Sequence, residues 1–420
     1  MNFIDLFAGC GGLSLGLMTA GLSGVFAIEK SVDAFTTLIH NLNNDNLVHG
    51  YNWPDWLPKQ EMTTGDLLCR HSNELKKLRG KIDVIAGGPP CQGFSFAGLR
   101  NPKDPRNLLT SEYIKVVSLI KPKFLFLENV KGFKTAFKHE GPIDHRPYSE
   151  YVIDCLTRFR PGYKIFSSVV YASDFSVPQH RPRFVMFGIR VDVAKRLGLI
   201  SLSNEEFFRR LEICSEDFRK KHDLPTKVTV KDAIDDLKTA RTRLIQCEDS
   251  VGFKQIKYQV PKKCNSYLKL MRRNASGSPN SLRLANHKKE TVQKFRFLLK
   301  YASKGHSISQ ELREKIHSKK QCFTVLDPDS VSTTITTLPD DCMHYSEPRI
   351  LTVRECARLQ SFPDWFDFKG KYTTGGHRRK LECPRYTQVG NAVPPLMAEI
   401  IGRFLLQLNA KYEENDEKRA

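Results

Sequence analysis

A cysteine that follows two prolines and precedes small residues, in the stretch GGPPCQGFS, is the most chemically suggestive feature of the chain. Consecutive prolines at Pro89 and Pro90 stiffen the backbone just ahead of the Cys91 thiol. The apolar run IDVIAGG before them reads as a strand, and α/β folds place ligands at the carboxyl edge of such strands. Most single cysteines are inert and buried, but one presented on that edge is a candidate nucleophile. FLFLENV puts Glu128 at the end of another predicted strand on the same edge, where a carboxyl could act as an acid. In QHRPR, Arg181 and Arg183 are alternate residues entering a strand, which would point them to one face.

A second group of residues could hold a ligand. DLFAGCGG sets Gly9, Gly11 and Gly12 between an apolar strand and a helix, where missing side chains let a ligand approach the backbone. Glu29 ends the next strand and is placed to accept hydrogen bonds from a ribose. A dinucleotide fingerprint would need its third glycine at Ser14, so that match is imperfect. The loop is also consistent with S-adenosylmethionine, and by itself it does not choose. Gly390 and Asn391 in QVGNAVPP, taken alone, read as a loop ahead of the last helix.

These residues need a scaffold, and the hydrophobic pattern supplies one. NFIDLF, VFAIE, IDVIAGG and FLFLENV alternate with helical stretches, the signature of a parallel sheet wrapped by helices. YKIFSSVVYA and RFVMFGI could extend that sheet. Beyond residue 190 the register breaks down: helices are expected after Ser203 and Thr229, and Pro261, Gly277 and Pro279 then interrupt any long element. Thr352 and Glu355 have capping-box spacing ahead of VRECARLQSF, with Pro363 expected to stop that helix. An apolar helix from PLMAEIIGRFLLQL precedes a charged tail expected to fray. The layout is an α/β domain over 1–190, a basic region over 191–340, and a segment over 341–420 that rejoins the first domain.

Composition bounds the class. With 40% hydrophobic and 27% charged residues the chain is globular, and no secretory leader or run of about 18 apolar residues is present, so a cytoplasmic protein is expected. Eleven cysteines, none spaced as C-x-x-C, fit free thiols in a reducing compartment and argue against zinc. The net charge of +20 is concentrated: residues 251–320 hold 18 Lys and Arg against Glu290, Glu311 and Glu314. With Tyr258, Tyr267, Phe295 and Phe297 interleaved, this stretch reads as a phosphate-facing module.

Taken in order, DLFAGCGG, IEK, GDL, GGPPCQGFS, ENVKGF, VPQHRPR, RECARLQSFPDWF and YTQVGNAVPP resemble the ordered motifs of the cytosine-C5 DNA methyltransferases, from residue 5 to 395. The largest gap falls between about 190 and 345, where that family keeps its variable target-recognition region, and the basic stretch lies inside it. The resemblance implies a Rossmann-like α/β methyltransferase domain with a second, smaller target-recognition domain. It also implies S-adenosylmethionine as cofactor, touching Phe7, Gly9, Gly11 and Gly12, with Glu29 on the ribose, Asp66 and Leu67 by the adenine, and Pro90, Leu109 and Asn391 completing the pocket. Lys30 stands where the family often has an apolar or aromatic residue, and its stem could cover the adenine ring.

The substrate dictates the chemistry. Cytosine C5 is too poor a nucleophile to take a methyl group directly, so addition of the Cys91 thiolate at C6 would push electron density onto C5. Glu128 would neutralise charge developing at the ring, and Arg181 and Arg183 would fix the base carbonyl and a nearby phosphate. The base must leave the duplex for this, with Gln92 and Ser95 beside the strand or in the vacated space. The expected partners are double-stranded DNA and, functionally, a restriction endonuclease of the same site; the enzyme is expected to be a monomer without metal or membrane. Cys322, Phe323 and Thr324 supply the tripeptide that marks the related tRNA methyltransferases, but VLDPDSVST comes next instead of their fuller motif. A catalytically inactive DNA-binding relative is set against by intact Cys91 and Glu128, and a nicotinamide oxidoreductase by Ser14.

Overall fold

The computed structural model describes residues 1–42, 50–90, 107–135, 147–318, 320, 322–375, 378 and 382–418. The first half alternates strand and helix: β1 (Asn2–Leu6), α1 (Gly12–Ala20), β2 (Ser23–Ile28), α2 (Val32–Leu42), α3 (Thr64–Lys77), β3 (Val84–Gly87), α4 (Asn107–Ile120) and β4 (Phe124–Val130). Then come α5 (Tyr148–Thr157), β5 (Tyr163–Tyr171), β6 (Pro182–Arg190), α6 (Val191–Arg196), α7 (Asn204–Lys221) and α8 (Val230–Ile234). Next follow β7 (Leu244–Gln246), β8 (Lys254–Ile256), α9 (Ser266–Met271), α10 (Lys289–Tyr301), α11 (Gln310–Lys315), β9 (Thr324–Val325) and β10 (Cys342–Met343). The chain closes with α12 (Val353–Leu359), α13 (Arg385–Asn391) and α14 (Pro395–Glu417).

Six strands form one sheet in the order β2-β1-β3-β4-β6-β5. Strands β2, β1, β3 and β4 pair in parallel, whereas β6 runs antiparallel to both β4 and β5, so the extension makes the sheet mixed and not wholly parallel. Period-two alternation buries both faces. Phe3, Val84, Phe124, Phe126, Val185 and Phe187 face a core shared with α1, α7 and α14. Their neighbours Ile4, Ile85, Leu125, Leu127, Phe184 and Met186 face a second core with α3, α4 and α5.

Helix α14 returns the carboxyl end of the chain to its beginning. A Cβ on Gly16 of α1 would lie 2.4 Å from both the Pro395 carbonyl oxygen and Ala398 Cβ, so the two helix backbones meet where only glycine fits. The charged tail, expected to fray, is helical through Glu417, where α14 ends, and Arg196 holds it by donating to the Tyr412 hydroxyl at 3.0 Å and pairing with Asp416. Helices α7 and α9 also contribute to the first core, through Phe207, Leu211, Phe218, Tyr267 and Met271. The segment after residue 190 therefore shares the sheet's core before the chain leaves it. Separate small clusters lie beyond, one around Phe295, Leu298, Phe323, Val325 and Met343, the other around Ile256, Tyr258 and Leu282. Phe323 and Thr324 of the CFT tripeptide thus serve packing, Phe323 in the first of these clusters and Thr324 in β9.

Helix α12 is capped as expected, with Thr352 and Glu355 bonding reciprocally, but it ends at Leu359, ahead of Pro363. Its arginines are buried fastenings. Arg358 donates to Asp364 Oδ1 and Oδ2 at 2.5 and 2.7 Å and to the Ala233 carbonyl at 2.9 Å, and it pairs with Asp236. Arg354 donates to carbonyls of Asn280, Pro363 and Phe366. Breaking a buried pair strands the remaining charge, at a cost of about 3–5 kcal/mol. Arg358→Met should therefore lower unfolding stability by about that much. Chemical denaturation measures it, and a loss below about 1 kcal/mol would show that Arg272, which also pairs with Asp364 at 2.9 Å, suffices.

Candidate active site

The glycine loop leaves the sheet at the carboxyl end of β1 through left-handed backbone: Phe7 at φ 63°, Gly9 at 57° and Gly11 at 93°. For Phe7 that region is costly, and such strain is tolerated where surrounding structure enforces it. Glu29 provides the enforcement, its two carboxylate oxygens accepting the Gly9 N–H at 2.9 Å and the Ser31 N–H at 2.7 Å. Burial pushes the Glu29 carboxyl above its ordinary range. Among the described residues no atom lies within 4 Å of where a Gly9 Cβ would sit, which leaves room there for a ligand to approach the loop's backbone.

The far end of the sequence completes this corner. A Cβ on Gly12 would meet the Val393 carbonyl oxygen at 2.4 Å and Ala392 Cβ at 3.3 Å, so QVGNAVPP lies directly against the glycine loop. That motif is the end of α13 and the turn after it, and Asn391 is exposed at the junction. Asp66 stands in the first turn of α3, where Thr63 caps the helix by accepting the Asp66 N–H at 3.0 Å. The Met62 N–H donates to the Glu29 carbonyl at 2.8 Å, which tethers that turn beside the end of β2. A hydrogen bond from the Thr63 hydroxyl holds the Asp66 carboxyl below its ordinary range, charged and exposed, suited to accept from an amine. Leu109, half-buried in α4, lies in the helix that packs on α3. Leu67 points elsewhere: its side chain is fully buried in the second core, because position 67 falls on the inward stripe of α3. Pro90 is half-buried beyond β3, and Lys30 is exposed. Leu67 aside, these residues fit an adenosine-bearing cofactor, with open glycine backbone, the strand-end Glu29 carboxyl and the Asp66 carboxylate on the turn tethered beside that strand.

Beneath the loop lies a network that sequence reasoning missed. Ser14, the residue that spoils the dinucleotide fingerprint, donates to Asp5 Oδ2 at 2.5 Å and accepts from the Tyr51 hydroxyl at 2.5 Å. All three are buried, and burial pushes the Asp5 carboxyl up to about 7, with the neighbouring Glu29 charge adding to the rise. A folded-state pKa above the ordinary 3.8 means that the native protein holds this proton more tightly than the unfolded chain. Stability should therefore fall as pH rises from about 4 to about 7 and level off above, a penalty of a few kcal/mol. Asp5→Asn removes the titrating proton, so its stability relative to wild type should rise across that window. Urea denaturation at a series of pH values tests this, and a difference independent of pH would refute it.

The second cluster sits at the ends of β3, β4 and β6. Arg183 Nε donates to Glu128 Oε1 at 2.7 Å, with both side chains nearly buried, and its Nη1 donates to the Pro182 carbonyl at 2.7 Å. A Cβ on Gly88 would lie 3.2 Å from Glu128 Oε2. Asn129, next along β4, donates its amide to the Pro89 carbonyl at 3.1 Å. The Gly88-Pro89-Pro90 segment is thereby fixed against the Glu128–Arg183 pair. Cys91, Gln92 and Ser95 lie outside the described residues.

Arg181 does not join that pair. It precedes β6, is buried, and donates to the carbonyls of Ile335 at 3.0 Å, Gly390 at 2.8 Å and Ala392 at 3.3 Å. Its donors therefore grip backbone where a base carbonyl and phosphate were expected, because the chain at Arg181 has not yet entered the strand whose alternation would align it with Arg183.

The chain is similar to known proteins over nearly its whole length. The family model for C-5 cytosine-specific DNA methylase matches residues 1–407. The Type II methyltransferase M1.HphI of Haemophilus parahaemolyticus is 31% identical, over 97% of this chain and 87% of its own length. The Type II methyltransferase M.DdeI of Desulfomicrobium norvegicum is 30% identical, over 96% and 87%. A solved structure described as a DNA modification methyltransferase encoded within an E. coli prophage superposes with a TM-score of 0.63 at 25% identity, covering 98% of this chain and 99% of that one. Because that family model accounts for residues 1–407 and relatives of 30% identity or more align along almost all of the chain, the chain belongs to the C-5 cytosine-specific DNA methylases.

Proposed function

We propose that this protein transfers a methyl group from S-adenosylmethionine to C5 of a cytosine flipped out of a specific double-stranded DNA sequence, with Cys91 as nucleophile. The observation that carries the reading is the buried Glu128–Arg183 pair set against the rigid Gly88-Pro89-Pro90 segment that runs straight into Cys91. A guanidinium close to a thiol favours thiolate, the role Arg183 would have in this reading. The sulfur adds to C6, and Glu128 holds a proton at ring N3 as charge moves into the ring. Arg183, anchored by Glu128 and the Pro182 carbonyl, orients that carboxyl and faces the base carbonyl. When bound, the sulfonium cofactor supplies the methyl that C5 takes up. Loss of the C5 proton then expels the Cys91 sulfur and restores the aromatic ring.

Glu29, Asp66 and the Asn391 turn frame the cofactor pocket. The basic region carries the target-recognition role, and the modification shields DNA from a cognate restriction endonuclease, as the names of the Type II relatives suggest. The place of action is the cytoplasm, where that DNA lies, and the working unit is a monomer. Each phosphate neutralised by the region rich in Lys and Arg should contribute about −0.9 to the slope of log affinity against log salt. Binding measured from about 50 to 200 mM salt should fall steeply, and a flat profile would remove the basic region from the interface.

Bisulfite sequencing of DNA from cells expressing the protein tests base, carbon and site together. The expected result is protected cytosines in one recurring sequence; full conversion everywhere would overturn the reading. A duplex carrying 5-fluorocytosine at the mapped site should trap a covalent complex, because fluorine cannot leave as a proton does. Methyl acceptance by tRNA in preference to duplex DNA would move the protein to the tRNA-directed branch.

A further inference from the structure

Arg181 joins three parts of the molecule that are far apart in sequence. Residues 332–335, on the arm that leads back from the basic region, run beside 178–181: the Ser332 N–H donates to the Pro178 carbonyl at 2.9 Å and the His180 N–H to the Ser332 carbonyl at 2.7 Å. Thr334 Oγ1 donates to the His180 carbonyl at 2.9 Å, and the Ile335 N–H donates to Gln179 Oε1 at 2.8 Å. On the other side, Gln179 Nε2 donates to Gln360 Oε1 at 2.7 Å, and Gln360 Nε2 donates to the Val389 carbonyl at 2.7 Å. The Arg181 fork closes the gap, one nitrogen on Ile335 and the other on Gly390 and Ala392. Gly390 itself abuts the arm, since a Cβ there would lie 2.3 Å from the Thr336 carbonyl oxygen. Two residues further on, Arg183 reaches Glu128.

We infer that Arg181 is a positioning residue that holds the return arm of the basic region and the Asn391 turn in one register, so that engagement of DNA and of cofactor are energetically coupled through it. The inference rests on the reading of the basic region as the DNA-binding part and of the Asn391 turn as part of the cofactor pocket. A planar guanidinium can donate in two directions at once, whereas a lysine ammonium is a point charge on a flexible stem. Arg181→Lys therefore keeps the buried charge while releasing one of the two segments. Coupling between sites is reciprocal, so it is read from either ligand.

The test measures the Kd of S-adenosylhomocysteine for the full-length protein with and without a saturating duplex containing the site mapped by bisulfite sequencing. Wild type should bind about tenfold more tightly when the duplex is present. In Arg181→Lys that ratio should fall below about twofold, while the Kd for each ligand alone stays within about threefold of wild type. Thr334→Val removes one tie from the same arm without touching the buried charge, and it should give an intermediate ratio if Arg181→Lys fails to fold. Undiminished coupling in both variants, or wild type that binds both ligands without coupling, overturns the inference. So does a variant that loses both separate affinities while the ratio persists, since that marks a purely structural fastening. Wild type that binds neither ligand instead defeats the underlying reading of the sites.

Discussion

Cys91→Ala protein should transfer methyl groups at least about 10⁴-fold more slowly than wild type, because removing a nucleophile that acts as one unit with its acid abolishes most of the advantage of the whole assembly. The loss belongs in kcat. Cys91 directly follows Pro90 in the sequence, while phosphate contacts are expected from the basic region, so duplex affinity should change by less than about threefold. Single-turnover transfer of labelled methyl, with duplex affinity measured separately, distinguishes the two. Turnover near wild type would eliminate the covalent route, and with it the expectation of a trapped fluorocytosine complex.

Glu128→Gln should slow the same step by about 10²- to 10⁴-fold, the range contributed by a positioned acid. The glutamine retains the shape that rests beside Gly88 and can still accept from Arg183 Nε, but it cannot hold a proton at the ring nitrogen or balance the guanidinium. Arg183 is then left nearly buried without its countercharge, a cost of up to about 3–5 kcal/mol that melting measurements would report. The decisive comparison is kcat against duplex affinity. A variant that loses duplex binding in proportion to activity, with kcat intact, would assign Glu128 to binding and leave the acid unidentified.

Cys91 and Glu128 owe their assignments to different levels of structure. For Cys91 the basis is the local motif, since the thiol itself is outside the described residues. For Glu128 it is tertiary: strand-end position nominated the carboxyl, and only the antiparallel pairing of β4 with β6, which sets Val130 opposite Arg183, brings the guanidinium to it. The antiparallel direction was not legible beforehand, because a strand buried on both faces carries the same apolar run whichever way it pairs.

Local chemistry was readable because it depends on neighbours in the chain. Pro-Pro before Cys91, glycines between β1 and α1, and the helix starts at Ser203, Thr229 and Thr352 are all decided within a few residues; each of the three helices opens on a capping box, of which the sequence reading named only the one at Thr352. Short apolar runs alternating with helical stretches likewise marked the strands, which the fold buries on both faces. Features that depended on partners distant in the chain were decided by the fold alone. Ser14 looked like a defect in a glycine fingerprint until Asp5 and Tyr51 appeared on either side of its hydroxyl. The tail looked frayed until Arg196 met Tyr412 and Asp416. Arg181 and Arg183, two residues apart and alike in sequence, part company because one backbone has entered β6 and the other has not. A guanidinium carries the same donors wherever it stands, and the carbonyls or carboxylate that meet them are set by tertiary packing, so the type and spacing of residues named the chemistry while the fold assigned each charge its partner.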